Sequence, residues 1–218
     1  MKDSKALRQE IIDTCLWLKE KGYLFGTWGN ISVRVEDGGM LITPSRVDYE
    51  KMKPENFVVM ALEDGHILSG TNRPTSEREI HRRIMKSRDD IHAIVHTHSA
   101  YAMAACAMNH GVPPISEEMC QVIGGGIPLS REFVPSDQHE RLGEVAAESI
   151  GQANALLLRN HGPICCGRTL EEAVVCSQVV EKSALMYLQL QHVPDLQVIP
   201  QKWVEAGRNY YLYSYGKT

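Results

Sequence analysis

Apolar residues recur at helical spacing near the start of the chain. Leu7, Ile11, Ile12, Cys15, Leu16 and Leu18 share a side of a helix predicted over 4–21, and Gly22 stands where a left-handed C-terminal cap belongs. The period then changes. After the glycine-rich turn Gly26-Thr27-Trp28-Gly29-Asn30, Ile31, Val33 and Val35 alternate with polar positions, and Met40-Leu41-Ile42-Thr43 follows across Asp37-Gly38-Gly39, the pattern of a β-hairpin. Phe57 to Ala61 and the residues around Ile67 extend the sheet.

Ser76-x-x-Glu79 has the form of a capping box and predicts a helix through about Ser87. An apolar strand from His92 to Thr97 comes next, then a small-residue helix from Ser99 to Asn109, stopped by Gly111 and Pro113-Pro114. A further helix is expected from Ser136 to near Gly151, and a strand from Ala155 to Leu158. His161-Gly162-Pro163 is expected to break the chain before Ile164-Cys165-Cys166. A second capping box, Thr169-x-x-Glu172, heads the longest helix, reaching about Leu190. The segment from Trp203 to Tyr215 carries four of the eight tyrosines and reads either as a docked terminal helix or as a lid or subunit contact. Strands and helices mix in irregular order without repeat or linker. The pattern predicts one α/β domain over 1–218 with a mixed or largely antiparallel sheet.

Composition narrows the function rather than the fold. With 218 residues the chain is long enough to bury a core unaided, and 43% hydrophobic with 23% charged residues is ordinary for a globular protein. A net charge of -4 without a long basic run argues against nucleic acid as a partner, because phosphate backbones are gripped by clustered Lys and Arg. The six cysteines have neither zinc-knuckle spacing nor the density of a disulfide framework and are expected to be reduced core residues. No stretch of eighteen apolar residues and no signal-like leader occurs, so a cytoplasmic protein without membrane association is expected.

The candidate chemistry begins at His96-Thr97-His98. Strand side chains alternate, so the two histidines share a face, with Cα atoms about 7 Å apart, and can converge on one ion or simply decorate a strand end. Neutral imidazole suits zinc, and a catalytic zinc takes three protein ligands and keeps a position open. His161, at a Gly-Pro turn after an apolar strand, is the third candidate; its alternative is a turn histidine bonded to backbone. His92 is expected in the core or at the strand entrance, and His81 on a helix surface. Glu77 is the candidate acid or base, or else a first-turn acid behind an Ser76 cap. The hydroxyls of Thr75 and Ser76 and the free N–H groups of a helix start also make an anion pocket, with Asn30 and Ser32 as possible further donors.

Taken in order, five motifs resemble the class II aldolase/adducin family. They are Gly26-Thr27-x-Gly29-Asn30-x-Ser32-Val33-Arg34, Leu41-Ile42-Thr43-Pro44-Ser45, Thr75-Ser76-Glu77, Val95-His96-x-His98-Ser99 and Asn160-His161-Gly162. The resemblance covers residues 5 to about 190. It implies a three-layer α/β/α fold around an antiparallel sheet, and a homotetramer with active sites at subunit contacts. It also implies one Zn2+ per subunit, or Mn2+ or another divalent ion, on His96, His98 and His161. Glu77 becomes the catalytic carboxylate, sometimes a fourth ligand, and Asn30, Ser45, Thr75 and Ser76 the phosphate pocket.

The implied reaction is cleavage of a ketose 1-phosphate of the L-fuculose type into dihydroxyacetone phosphate and a short aldehyde. The metal would stabilise an enediolate, and Glu77, its pKa raised, would shuttle the proton. Sister activities on the same residues are 4-epimerisation of a pentulose phosphate, dehydration of methylthioribulose phosphate and decarboxylation of a sugar-acid phosphate. The presence of all three histidines and Glu77 argues against a non-catalytic, adducin-like module. Three positions depart from the family pattern. Arg46 replaces a glycine and Trp28 a small residue, and Glu117 stands where a tyrosine usually donates a proton to the aldehyde fragment, leaving Glu117 or a C-terminal tyrosine for that role.

Overall fold

A computed structural model describes residues 2–216. Seven strands, β1 (Asn30–Val35), β2 (Gly39–Ile42), β3 (Val58–Ala61), β4 (Ile67–Ser69), β5 (Ala93–His96), β6 (Ala155–Leu158) and β7 (Gly162–Gly167), form one sheet. Their order is β4-β3-β2-β1-β5-β7-β6. Every neighbouring pair runs antiparallel, so the sheet is antiparallel throughout rather than mixed. Among the described residues six α-helices accompany it: α1 (Lys5–Glu20), α2 (Arg78–Ser87), α3 (Ala100–Cys106), α4 (His139–Ile150), α5 (Leu170–Leu190) and α6 (Gln201–Tyr213).

Strand alternation sorts the apolar residues into two cores, one on each face. Ile31 and Val33 of β1, Val95 of β5 and Cys165 of β7 face α1, α3 and α5. Ile42, Ile94, Leu156, Ile164 and Cys166 face α2 and α4. This is the three-layer arrangement that the resemblance implies. Fully burying one such Ile or Leu side chain stabilises the fold by roughly 1.5–3 kcal/mol.

Local signals explain most boundaries. Ser4 caps α1 by accepting from the Leu7 amide at 3.1 Å, and Gly22 takes φ +76° just beyond the helix. Thr169 caps α5 through the Glu172 amide at 3.1 Å. The first expected capping box does not form. Glu77, not Ser76, occupies the N-cap position of α2, and Glu79 turns inward to a buried ion pair with Arg82 at 2.6 Å. That guanidinium also donates to the carbonyls of Leu62 and Glu63, docking α2 on the β3–β4 turn. α3 ends at Cys106, three residues early, and α4 begins three residues late at His139. Gly162 and Pro163 lie inside β7 rather than breaking the chain; a proline is tolerated there because it stands at the strand's beginning.

The last helix is docked. α6 packs on a π-helical turn at Met119–Ile123, burying Val204, while Arg208 donates to the carbonyls of Gln121 and Val122 at 2.7 and 2.9 Å. Its Trp203, Tyr210 and Tyr213 are exposed.

One glycine fixes how the first turn meets the sheet. Gly29 has φ +94°, and an added Cβ would lie 2.8 Å from the His96 carbonyl oxygen and 2.3 Å from Leu24. Gly29→Ala therefore combines a strained backbone with a collision against β5, and the expected loss is on the order of 2–3 kcal/mol by urea denaturation. A wild-type midpoint in that variant would show that the turn can be moved without cost.

Candidate metal centre

The site forms where β1 begins beside the end of β5. In their antiparallel register Asn30 pairs with His96, so both side chains leave the sheet on the same face, toward α2. His96 is fully buried and its Nδ1 lies 2.9 Å from the Pro163 carbonyl oxygen, which can only accept. The proton is thereby placed on Nδ1, and the Nε2 lone pair is free to face the site.

His98 lies just past the strand end, two residues beyond His96, and is held by its amide on the Tyr23 carbonyl at 3.0 Å. His161 is presented by the turn between β6 and β7, where Asn160 takes φ +54° and the His161 amide returns to the Leu158 carbonyl at 3.0 Å. Gly162 makes this possible, since a Cβ there would lie 2.6 Å from the Thr97 carbonyl oxygen and 3.1 Å from the His96 ring. Behind the His98 loop, both carboxylate oxygens of Glu181 on α5 accept from the first free amides of α3, Tyr101 and Ala102, at 3.0 and 2.8 Å.

The three imidazoles meet edge to face, with ring centroids 4.9, 5.1 and 5.4 Å apart. Glu77 completes the group: one ligand atom from each of Glu77, His96, His98 and His161 lies within 4.8 Å of the others. Two nitrogens, His96 Nε2 and His98 Nε2, are 3.1 Å apart. Neutral imidazoles converging with a carboxylate are the donor set of a divalent first-row ion, and the residues present fit one.

Glu77 Oε1 lies 2.8 Å from His161 Nε2, while Oε2 lies 2.6 Å from Asn30 Nδ2 and 3.3 Å from His96 Nε2. Burial pushes this carboxyl up, but the adjacent His96 and His161 and the hydrogen bonds from His161 and Asn30 outweigh it and hold Glu77 well below the usual carboxylate range. The raised value expected of a proton shuttle is thus reversed in the metal-free protein. Burial also favours the neutral form of His96 and His98: it lowers both, His98 to about 3 with help from His96 and His161.

The segments that carry the four expected phosphate donors, Asn30, Ser45, Thr75 and Ser76, meet at the start of α2. The segments of Ser45 and Thr75 run antiparallel through a Pro44–Pro74 bridge, with the Ser45 amide on the Arg73 carbonyl at 2.8 Å and the Thr75 amide on the Thr43 carbonyl at 3.1 Å. Thr75 Oγ1 accepts from the Glu77 amide at 3.4 Å, and Ser76 lies between them in sequence. Arg46 is exposed with φ +59°, and among the described residues it makes no ion pair. Trp28 is 66% exposed and stacks parallel on His98 at 6.4 Å. Glu117 is also exposed; with Cys120, Trp203 and Tyr210 it lines a cavity of about 360 Å³ against α6.

His92 stands at the strand entrance rather than in the core, the second of its two expected places: it is exposed, bonded to the Asp89 carbonyl at 3.1 Å, and β5 begins one residue after it. One sequence expectation fails here. His81 is fully buried rather than on a helix surface, its ring between Ser32 and Asn30. Its spacing carried the signal: four residues after Glu77 on a helix is the same face. Tyr49 was also missed; its hydroxyl donates to the Gly29 carbonyl at 2.6 Å and braces the turn.

A seven-stranded antiparallel sheet with a three-histidine, one-carboxylate centre at its strand ends defines a metal-dependent lyase of the class II aldolase type. The chain belongs to the family of the class II aldolase and adducin N-terminal domain, whose family model matches residues 9–188. It is 37% identical over 185 residues to an L-fuculose phosphate aldolase of Haemophilus influenzae, covering 84% of this chain and 83% of that one. An L-ribulose-5-phosphate 4-epimerase, UlaF, of Salmonella paratyphi B is 31% identical over 190 residues, covering 83% of each. Among solved structures, an L-fuculose 1-phosphate aldolase superposes with a TM-score of 0.90 at 29% identity, covering 97% of this chain and 99% of that one. No described helix is long and apolar enough to cross a membrane.

The neutral state of His81 and His98 sets a pH dependence. A histidine held at about 3 in the fold but near 6.5 unfolded binds its proton earlier in the unfolded chain, so stability is complete above about pH 6.5 and is lost as pH falls toward 3. For buried His81 the limiting slope is about 1.4 kcal/mol per pH unit. The melting temperature of the metal-free protein is expected to fall steadily from pH 7 to pH 5 in calorimetry; a flat profile would contradict neutral rings.

Proposed function

We propose that this chain is a zinc-dependent aldolase that cleaves a ketose 1-phosphate of the L-fuculose type into dihydroxyacetone phosphate and a short aldehyde. The observation that carries the reading is the convergence of His96, His98 and His161 on one point with Glu77 in direct reach. These histidines hold the ion through ring nitrogens, and His96 is oriented for this by the Pro163 carbonyl. When bound, the ion supplies an electron sink for the breaking carbon–carbon bond.

Glu77 moves the proton of the dihydroxyacetone phosphate fragment: its anion accepts that proton in the condensation direction and returns it in cleavage. Asn30, Ser45, Thr75 and Ser76 bind the phosphate and keep the reacting carbons in register with the carboxylate. Burial of Asn30, Thr75 and His96 limits the water that reaches the site. The exposed aromatic surface of α6 supports a homotetramer with active sites at subunit contacts, and six buried free thiols agree with a cytoplasmic protein. The second reading, 4-epimerisation of a pentulose phosphate, is favoured by the likeness to UlaF.

The test is release of dihydroxyacetone phosphate from a panel of ketose 1-phosphates by zinc-loaded protein. Glu77→Gln is expected to lose at least about a hundredfold in kcat with zinc still bound, the scale of a lost acid–base group. His96→Ala is expected to lose both zinc and activity. No release from any panel member, with zinc bound and L-ribulose 5-phosphate epimerised, would replace the aldolase reading by the epimerase one.

A further inference from the structure

Beneath Glu77 lies a hydrogen-bond chain that the reaction as described does not use. His81 Nδ1 lies 2.7 Å from Ser32 Oγ and His81 Nε2 lies 2.6 Å from Asn30 Oδ1, while Asn30 Nδ2 lies 2.6 Å from Glu77 Oε2. Ser32 and His81 are fully buried and Asn30 nearly so. None of them can find water as an alternative partner, so their proton positions follow from one another.

The order is set from the carboxylate. Ionised Glu77 only accepts, so Asn30 must turn its NH2 toward Oε2 and its carbonyl toward His81. Two acceptors cannot face each other at 2.6 Å, so Nε2 carries the proton of the His81 ring. The buried ring is neutral, so Nδ1 is bare and accepts from the Ser32 hydroxyl. Every donor in the chain points the same way, from Ser32 through His81 and Asn30 to Glu77.

This direction matters once an ion occupies the site. In the metal-free protein the Glu77 carboxylate accepts two hydrogen bonds, from His161 on Oε1 and from Asn30 on Oε2. A histidine that gives its Nε2 lone pair to a metal cannot donate from that nitrogen. Oε1 is then released, and Asn30 remains as the hydrogen-bond anchor on Oε2.

We propose that His81 is a positioning residue for Glu77: by locking the Asn30 amide it holds Oε2 and leaves Oε1 free to exchange a proton with substrate. The inference rests on the reading of Glu77 as the proton shuttle, and the hydrogen-bond chain is tested separately from it. It also gives Asn30 a second duty beside phosphate binding, since an amide fixed by His81 and Glu77 presents its remaining N–H in one orientation only.

The experiment uses full-length protein with 15N-labelled histidine, zinc-free and zinc-loaded. Long-range 1H–15N correlation is expected to show His81 as the Nε2–H tautomer in both forms; an Nδ1–H tautomer in either overturns the proposal, whatever the protein's activity. In parallel, His81→Leu is expected to lose roughly ten- to a hundredfold in kcat, with KM and zinc affinity, read against a chromogenic chelator, within about threefold. His81→Gln, whose amide restores a donor near the Nε2 position, is expected to recover most of that loss. An unchanged kcat in folded His81→Leu overturns positioning, and so does a parallel collapse of zinc affinity in both variants, which would mark a structural role. If His81→Leu does not fold, the tautomer and the His81→Gln kinetics decide. If the parent protein cleaves no ketose phosphate, the functional reading fails while the tautomer still decides the chain.

Discussion

The antiparallel register of β1 on β5 places Asn30 opposite His96, and the site is built outward from that pair. A shift of one residue would turn His96 into the apolar layer of α1, α3 and α5 and bring Val95 to the metal side. The register is held from both sides of β5. Gly29 lets the preceding turn lie against the His96 carbonyl, and Pro163 receives both the Thr97 amide at 3.3 Å and the His96 ring at 2.9 Å. The same face of β1 continues as a polar seam under α2: Ser32 reaches His81, and Arg34 reaches the carbonyls of Met85, Arg88 and Ile91. An apolar seam would bury more area, but it would not fix the rotation of α2, on which Glu77 depends.

How much of this could be read from the chain depended on whether the cause was local. Period-2 and period-3.6 patterns and the caps at Ser4 and Thr169 are local, and the predicted elements formed, mostly within three residues of their expected ends. The metal candidates were legible because His96-x-His98 uses strand alternation and His161 a turn, both short-range effects. What misled were residues whose partners lie far away in sequence. Glu79 abandons its expected box for Arg82 and the carbonyls that Arg82 reaches on the β3–β4 turn, and His81 meets Ser32 and Asn30 some fifty residues earlier. Periodicity places His81 on a face of α2 but cannot say what lies opposite.

Glu77 shows why charge is read only in the folded protein. Its position at a helix start suggested a macrodipole effect, yet its anion is fixed by His96, His161 and Asn30 arriving from three other segments. The expectation of a raised pKa came from the proton-transfer task, which a carboxyl titrating nearer the working pH serves best. Burial does act in that direction, but the imidazoles and the Asn30 amide that it brings into reach favour the anion, and they win.

The glycine turn and the loop after β2 leave Trp28 and Arg46 outside the sheet's hydrogen-bond ladder, exposed beside the histidines and the hydroxyls respectively. Neither side chain contributes to either core. Exchange at these two positions therefore leaves both hydrophobic layers packed and the sheet register unchanged. The mouth of the site is thus free to vary on a frame whose folding does not depend on it.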